Sequence, residues 1–345
     1  MHMADALLAP AVAAVMYGAT TVTAGISVFK IKKENDSHKI PMMAVCAALV
    51  FAGQMINYTI PGTGSSGHLC GGFLLSAILG PFAGFISMMI ILAIQGLFFA
   101  DGGLLALGAN CWNMAFYGCF LGYFAFWRPF MKKPGRVKII LASVLGCMIT
   151  LQCGAFSVVL ETSLSGITEI PFGTFCALMQ PIHLAIGLIE GVITAAVLVF
   201  IYEARPESLS LPQNEGEGER QGKLSLRATL IVLALTALVT AGGFSLLASS
   251  HPDGLEWSLF GNAEEGYAEN LALDEENFGY VSEAADRASS VQDHTSFLPD
   301  YNLPESESKA GTSLSGIVGS LIVAAFAVAV SVLIRVFRKK EKTAA

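Results

Sequence analysis

The sequence predicts an all-α membrane protein: a bundle of seven hydrophobic helices, then two further spans separated by a long polar loop. Three observations predict it. Of the 345 residues, 54% are hydrophobic and 14% charged, where a soluble chain carries about 25% charged residues. Mean hydropathy is +0.61. The apolar residues fall into runs of roughly 20, long enough to cross a hydrocarbon core, and the basic residues collect in a few short segments between those runs.

The first run, residues 9–29, is followed by a basic turn at 30–39. Residues ahead of it carry no Lys or Arg, whereas Lys30, Lys32 and Lys33 follow it, so no secretory signal peptide is expected. The second run, 41–58, leads into the Gly- and Ser-rich stretch 61–68. The apolar stretch 69–100 is too long for one comfortable helix, and Gly80-Pro81 interrupts it, because proline cannot donate to the helix ladder. A short, roughly half-depth segment to Leu79 and a fuller helix over 82–99 are read there, with a single kinked helix as the competitor. After the turn Asp101-Gly102-Gly103, the next run covers 104–127. A basic loop at 128–138 carries Arg128, Lys132, Lys133, Arg136 and Lys138. Runs at 139–160 and 172–202 follow, joined by a connection without basic residues.

Composition then changes. Residues 203–222, with Pro206, Pro212 and Glu215-Gly216-Glu217-Gly218-Glu219, read as a flexible linker. Runs at 226–248 and 314–337 enclose a polar, acidic loop. Three units are therefore expected: a membrane domain at 1–203, a cytoplasmic linker at 204–222, and a two-helix domain at 223–345 whose loop spans 249–312. Counting nine spans with the N-terminus outside puts every basic segment, including Arg335 to Lys342, in the cytoplasm. The same parity puts His2, His68 and the acidic loop on the external side.

The seven cysteines lie in or beside apolar runs, without close CxxC pairs, and read as packing residues rather than a disulfide framework or zinc site. No GxxxxGK[ST], HExxH or paired-carboxylate constellation is present. That pattern speaks against an ATPase or a membrane enzyme, and nothing suggests nucleic acid as a partner.

Met1-His2-Met3-Ala4-Asp5 carries the most chemistry. Where the chain begins at Met1, the α-amine, the amide nitrogen of His2 and its imidazole Nδ1 can close adjacent chelate rings on one metal ion. Such a fork favours square-planar geometry and suits Ni(II) or Cu(II), and it can take Co(II). His68, where the Gly/Ser-rich loop enters a short apolar segment, is the candidate fourth nitrogen. The competing readings are a frayed terminus for His2 and a histidine bonded to a carbonyl at a helix start for His68. His183 and Glu190 are seven residues apart on one helical face. For them an interhelical hydrogen bond competes with a role in transport. The acidic loop, with Asp274, Glu275, Glu276, Glu283, Asp286 and Asp293, reads either as a solvated connection or as a cation-concentrating surface. Trp257 reads as an interfacial anchor.

Several of these stretches together resemble the CbiM/NikM family, substrate-specificity (S) components of energy-coupling-factor cobalt and nickel importers. They are Met1 to Asp5, Gly62-Thr63-Gly64-Ser65-Ser66-Gly67-His68-Leu69, Gln95 with Asp101-Gly102-Gly103-Leu104, Leu107-Gly108-Ala109-Asn110, and His183 through Glu190-Gly191. The resemblance covers about residues 1–203. Pro252-Asp253-Gly254-Leu255-Glu256-Trp257 looks like the small CbiN/NikN-type (PDGLEW) subunit fused downstream. The resemblance implies a substrate-binding subunit with no resident cofactor, whose transported ion is Co(II) or Ni(II), for cobalamin biosynthesis or nickel enzymes. It implies metal ligation by Met1, His2 and His68, with Asp5, Gln95, Asp101, Asn110 and Asn113 as candidates for orienting those ligands. It also implies a transmembrane coupling (T) subunit and a cytoplasmic ABC ATPase pair as partners in the cell membrane. Ala6 stands where the family commonly has glycine, which questions the turn after Asp5. A stand-alone secondary metal permease and a membrane metal sensor or scaffold are the alternatives.

Overall fold

The computed structural model describes residues 1–34, 39–166, 170–212, 222–261, 282–303 and 309–344. Its helices are α1 (Pro10–Glu34), α2 (Lys39–Gln54), α3 (Gly72–Leu79), α4 (Pro81–Phe99), α5 (Leu107–Asn110), α6 (Arg128–Phe130), α7 (Arg136–Ser165), α8 (Phe172–Ala204), α9 (Leu226–Gly242), α10 (Gly254–Phe260), α11 (Glu283–Thr295) and α12 (Lys309–Ala344). A π-helical stretch, Cys111–Trp127, runs between α5 and α6. Among the described residues six helices are long and apolar enough to cross a membrane, and α2 is a shorter apolar helix. The chain is an all-α membrane protein, as its hydropathy predicts.

The stretch 69–100 is two helices, α3 and α4. Gly80 sits between them at φ 82°, ψ 164°, and Pro81 opens α4, where a missing amide hydrogen costs nothing. At eight residues, α3 reaches only part-way through a bilayer, since each residue adds about 1.5 Å. It is held within the bundle by α4 and the π-helical stretch. Helices α1, α7, α8 and α12 overrun their apolar runs by a few residues, whereas α2 ends at Gln54 and α9 at Gly242, short of theirs.

Two expectations need correction. The Gly/Ser-rich loop is partly ordered as an antiparallel hairpin, β1 (Tyr58–Ile60) with β2 (Ser65–Gly67). The described parts of 249–312 are not a plain solvated connection. They contain α10 and α11, and the acidic face read at Glu283, Asp286 and Asp293 belongs to α11, while Asp274, Glu275 and Glu276 lie outside the described residues. Gln292 on α11 donates to the carbonyls of Gly96 and Gly102, at 2.8 Å each, and Ser66 N donates to Pro252 O at 2.8 Å. These main-chain partners are what fold the polar segment down onto the first domain. Trp257 packs against the core, half-buried. All seven cysteines are free, five of them buried.

The terminal segment itself is part of the core. Met1, Met3, Leu7 and Leu8 are buried, Met3 and Leu8 completely. Burying apolar side chains of this size stabilises by roughly 1.5–3 kcal/mol each, enough to hold a nine-residue end that would otherwise fray.

Candidate metal centre

The terminus is held by its backbone as well as its side chains. Asn110, at the end of α5, accepts from Met3 N at 2.8 Å and donates to Met3 O at 3.1 Å, and Gly103 N also donates to Met3 O at 2.9 Å. Asp5 accepts from Ala106 N at 3.0 Å and begins the 3-10 turn Asp5–Leu7. Ala6 lies within that turn and outside the positive-φ residues, so alanine fits where the family commonly has glycine. Gly103 approaches so closely that a Cβ there would overlap the Asp5 carboxylate.

This anchoring puts His2 beside His68, with ring centroids 5.1 Å apart and planes inclined by 25°. The nitrogens of both rings have distinguishable roles. Gln54 Nε2 donates to Cys70 O at 2.7 Å, Gln95 Nε2 donates to Gln54 Oε1 at 3.0 Å, and Gln95 Oε1 therefore faces His2 Nε2, 3.2 Å away, as an acceptor. A relay in that direction puts the proton of neutral His2 on Nε2 and the lone pair on Nδ1. In His68, Nδ1 donates to Leu69 O at 3.0 Å, which leaves the lone pair on Nε2.

Acidic partners from distant parts of the chain face the same nitrogens. The Met1 amine is 3.0 Å from Asp253 Oδ2, and Asp253 Oδ1 caps α10 through Leu255 N and Glu256 N at 2.7 and 2.8 Å. His2 Nδ1 is 3.2 Å from Asp101 Oδ1, whose other oxygen accepts from the Tyr301 hydroxyl; with the lone pair on Nδ1, this contact puts the proton on Asp101, which donates to the ring. Burial pushes His2 down to about 3 and His68 down to about 4; the nearby ammonium lowers both further, and His2 lowers His68. Both imidazoles are thus neutral at physiological pH, the form that ligates metal. Burial raises Asp101. Burial alone would raise Asp253 too, but the ammonium and His68 hold its carboxyl far below the usual range. An open cleft of about 660 Å³, lined by Asp5, Asp101, Asp253, Asp286 and Gln292 among others, reaches His2.

Of the residues singled out in the sequence, Met1, His2, His68, Gln95 and Asp101 meet here, and Asp5 and Asn110 hold the backbone that carries His2. Asn113 does not face the imidazoles. It donates to Glu161 at 2.7 Å and lies 3.7 Å from the Met3 sulfur, supporting the segment from below. His183 makes no interhelical bond among the hydrogen bonds found: its Nδ1 donates to Met179 O in its own helix at 2.8 Å. The Glu190 carboxyl instead accepts from Cys70 N and Gly71 N at 2.9 Å each, closing the N-terminus of α3. Asp253, Tyr301 and Gln54 were missed. Asp253 stood inside a motif marked in the sequence, but a fold that brings residues 1 and 253 together leaves no local periodicity to read. Among the described residues no three His, Cys, Asp or Glu side chains form a ready-made cage.

Comparison with known proteins gives a consistent picture. Residues 2–208 match the family described as CbiM, cobalt uptake substrate-specific transmembrane region, and residues 227–336 match the PDGLE domain. A putative fused nickel transport protein NikMN of Archaeoglobus fulgidus is 31% identical over 335 residues, 96% of this chain and 98% of that protein. The cobalt transport protein CbiM of Sorangium cellulosum is 32% identical over 191 residues, 54% of this chain and 84% of that one. The fold is similar to a crystal structure of a truncated transition metal transporter, with a TM-score of 0.52 at 32% identity, covering 58% of this chain and 98% of that one. The buried terminal histidine, the helical membrane bundle and these matches lead to one conclusion: this chain belongs to the CbiM family of cobalt and nickel transport membrane proteins, carries a PDGLE domain downstream, and is a transporter subunit rather than an enzyme.

Proposed function

We propose that the protein captures Ni(II) or Co(II) from outside the cell through four nitrogens: the Met1 amine, the His2 amide and Nδ1, and His68 Nε2. The observation that carries this is the direction of the Gln54–Gln95 relay, which leaves the lone pair of His2 on the one ring nitrogen able to close a chelate ring with the main chain. His68, with its lone pair on Nε2, supports the same reading. Binding displaces Asp253 from the amine and Asp101 from Nδ1. The Asp253 carboxylate, with the open acidic cleft, draws a cation inward and favours its approach. Ligation releases two protons, one from the α-ammonium and one from the His2 amide, and apart from this exchange of ligands no bond is made or broken.

In this reading the chain is the substrate-binding subunit of an energy-coupling-factor importer. It works with a transmembrane T subunit and a pair of cytoplasmic ABC ATPases in the cell membrane, with its N-terminus outside and its C-terminus in the cytoplasm. Residues 1–203 form the capture domain, 204–222 the cytoplasmic linker, and 223–345 a two-helix domain that closes over the site.

The test is a chain extended by two residues ahead of Met1, beside a wild-type chain whose start at Met1 is verified by intact mass. The extension converts the α-amine into an amide and is expected to abolish tight Ni(II) binding while the melting temperature stays close to wild type. Unchanged affinity in the extended chain would refute the fork. Competition of Ni(II) against Co(II) on the purified protein assigns the preferred ion.

A further inference from the structure

His183 is used neither by the fork nor, among the described residues, by a hydrogen bond between helices, yet it is 1% exposed. Its Nδ1 donates to Met179 O at 2.8 Å, so the lone pair is on Nε2, and that nitrogen is buried without a hydrogen-bond partner. A buried polar atom left unpaired costs roughly 1–3 kcal/mol, and native cores retain few of them. The imidazole borders a small, partly enclosed cavity, large enough for about one water or one bare ion, whose other walls include Met1, His68, Cys70, Met114 and Asp253. Gly254 of α10 closes the cavity from the C-terminal side, so tightly that a Cβ there would come within 3.1 Å of His183 Cε1.

We infer that His183 Nε2 is the ligand of a second, inner metal site, which takes the bare divalent ion from His68 on its way into the membrane domain. The donors around that cavity fit a borderline-soft transition-metal cation better than Mg(II) or Ca(II). They are the His183 imidazole nitrogen and, among the lining residues, the sulfur-bearing Met1, Met114 and Cys70, whose thiol donates to Met114 O at 3.1 Å when no ion is bound. His68 and His183 have the same tautomer, each with Nδ1 held by a main-chain carbonyl and Nε2 bearing the lone pair. The ion passes by ligand exchange: the bond to His183 Nε2 forms as those to His68 Nε2 and the three fork nitrogens break, the His2 amide and Met1 amine take back from solvent the two protons released on binding, and no proton moves on the His68 or His183 ring. With fewer strong donors than the fork, the inner site holds the ion more weakly, as a station from which it must leave.

This inference rests on the reading of His2 and His68 as ligands, so the experiment separates the two. Ni(II) is titrated into the purified full-length protein, its His183→Phe variant, which fills the space without a nitrogen, and its His68→Ala variant. Wild type is expected to bind one tight equivalent and a second at least tenfold weaker. His183→Phe keeps the first within about twofold and loses the second, and His68→Ala loses the tight one. A second equivalent that persists in His183→Phe overturns the inner site. Loss of the first equivalent's dependence on His68 overturns the outer reading instead. A wild-type measurement decides the matter should the phenylalanine variant misfold. With Co(II) as the probe, hyperfine-shifted ring signals are expected from His2 and His68 at one equivalent, with those of His183 appearing at two. Their absence at every Co(II) ratio refutes the proposal.

Discussion

Replacing Gln95 by leucine removes the group that orients His2 without touching any proposed ligand. Gln95 is fully buried, accepts from His2 Nε2 across 3.2 Å and donates to Gln54 Oε1 across 3.0 Å. Leucine is close in volume, so little packing is lost, but the Nε2 hydrogen of His2 is left without a protein acceptor on the side of the ring that fully buried Gln95 had covered. Such an orphan costs roughly 1–3 kcal/mol, and the cost falls on the tautomer that presents Nδ1 to the ion. At about 1.4 kcal/mol per tenfold, Ni(II) affinity should fall roughly 5- to 100-fold, in line with other groups that orient metal-bound histidines. The second orphan, Gln54 Oε1, lowers folding stability without bearing on the ligand. Gln95→Glu keeps the acceptor toward His2 and should lose less affinity than leucine. Competition against a chromophoric chelator measures both variants at one pH and ionic strength. Binding by a folded Gln95→Leu protein within twofold of wild type would refute the argument that the relay sets the tautomer.

Other consequences follow from the same geometry. Gly103→Ala places a Cβ into the Asp5 carboxylate and should displace the terminal segment, lowering Ni(II) affinity at least tenfold; Gly135→Ala, with open space around it, should be silent in the same titration. Glu190→Ala removes the acceptor of two main-chain N–H groups at the head of α3 and should lower stability by about 3 kcal/mol, seen as a lower melting temperature that Glu190→Gln partly restores. Because His68 is pushed down to about 4, it stays neutral in the folded protein while an ordinary unfolded histidine gains a proton below about pH 6.5. The unfolded state then binds more protons, so His68 contributes stability that is full above that pH and is lost progressively as the pH falls toward 4. His68→Ala should flatten the melting-temperature slope over that window, and an unchanged slope would show that the imidazole is not held neutral by burial.

The membrane class, the break at Gly80-Pro81 and the two histidines were legible because each depends on local chemistry. Twenty apolar residues demand a bilayer or a core, glycine at positive φ followed by proline ends one helix and opens the next where Pro181 alone is carried within α8, and a second-position histidine has its chelating geometry built into three consecutive bonds. The roles of Asp253 and Tyr301 were not legible, since they arise only when the polar segment after α9 folds back so that residue 253 meets residue 1 and residue 301 meets residue 101. Nor does a sequence state which ring nitrogen carries a proton. For His2 that was decided by Gln54 and Gln95, brought to the ring by helices far along the chain, and for His68 and His183 by the nearby carbonyls of Leu69 and Met179. Covalent proximity can be read along a chain, whereas the direction of a hydrogen bond depends on what packing sets opposite it.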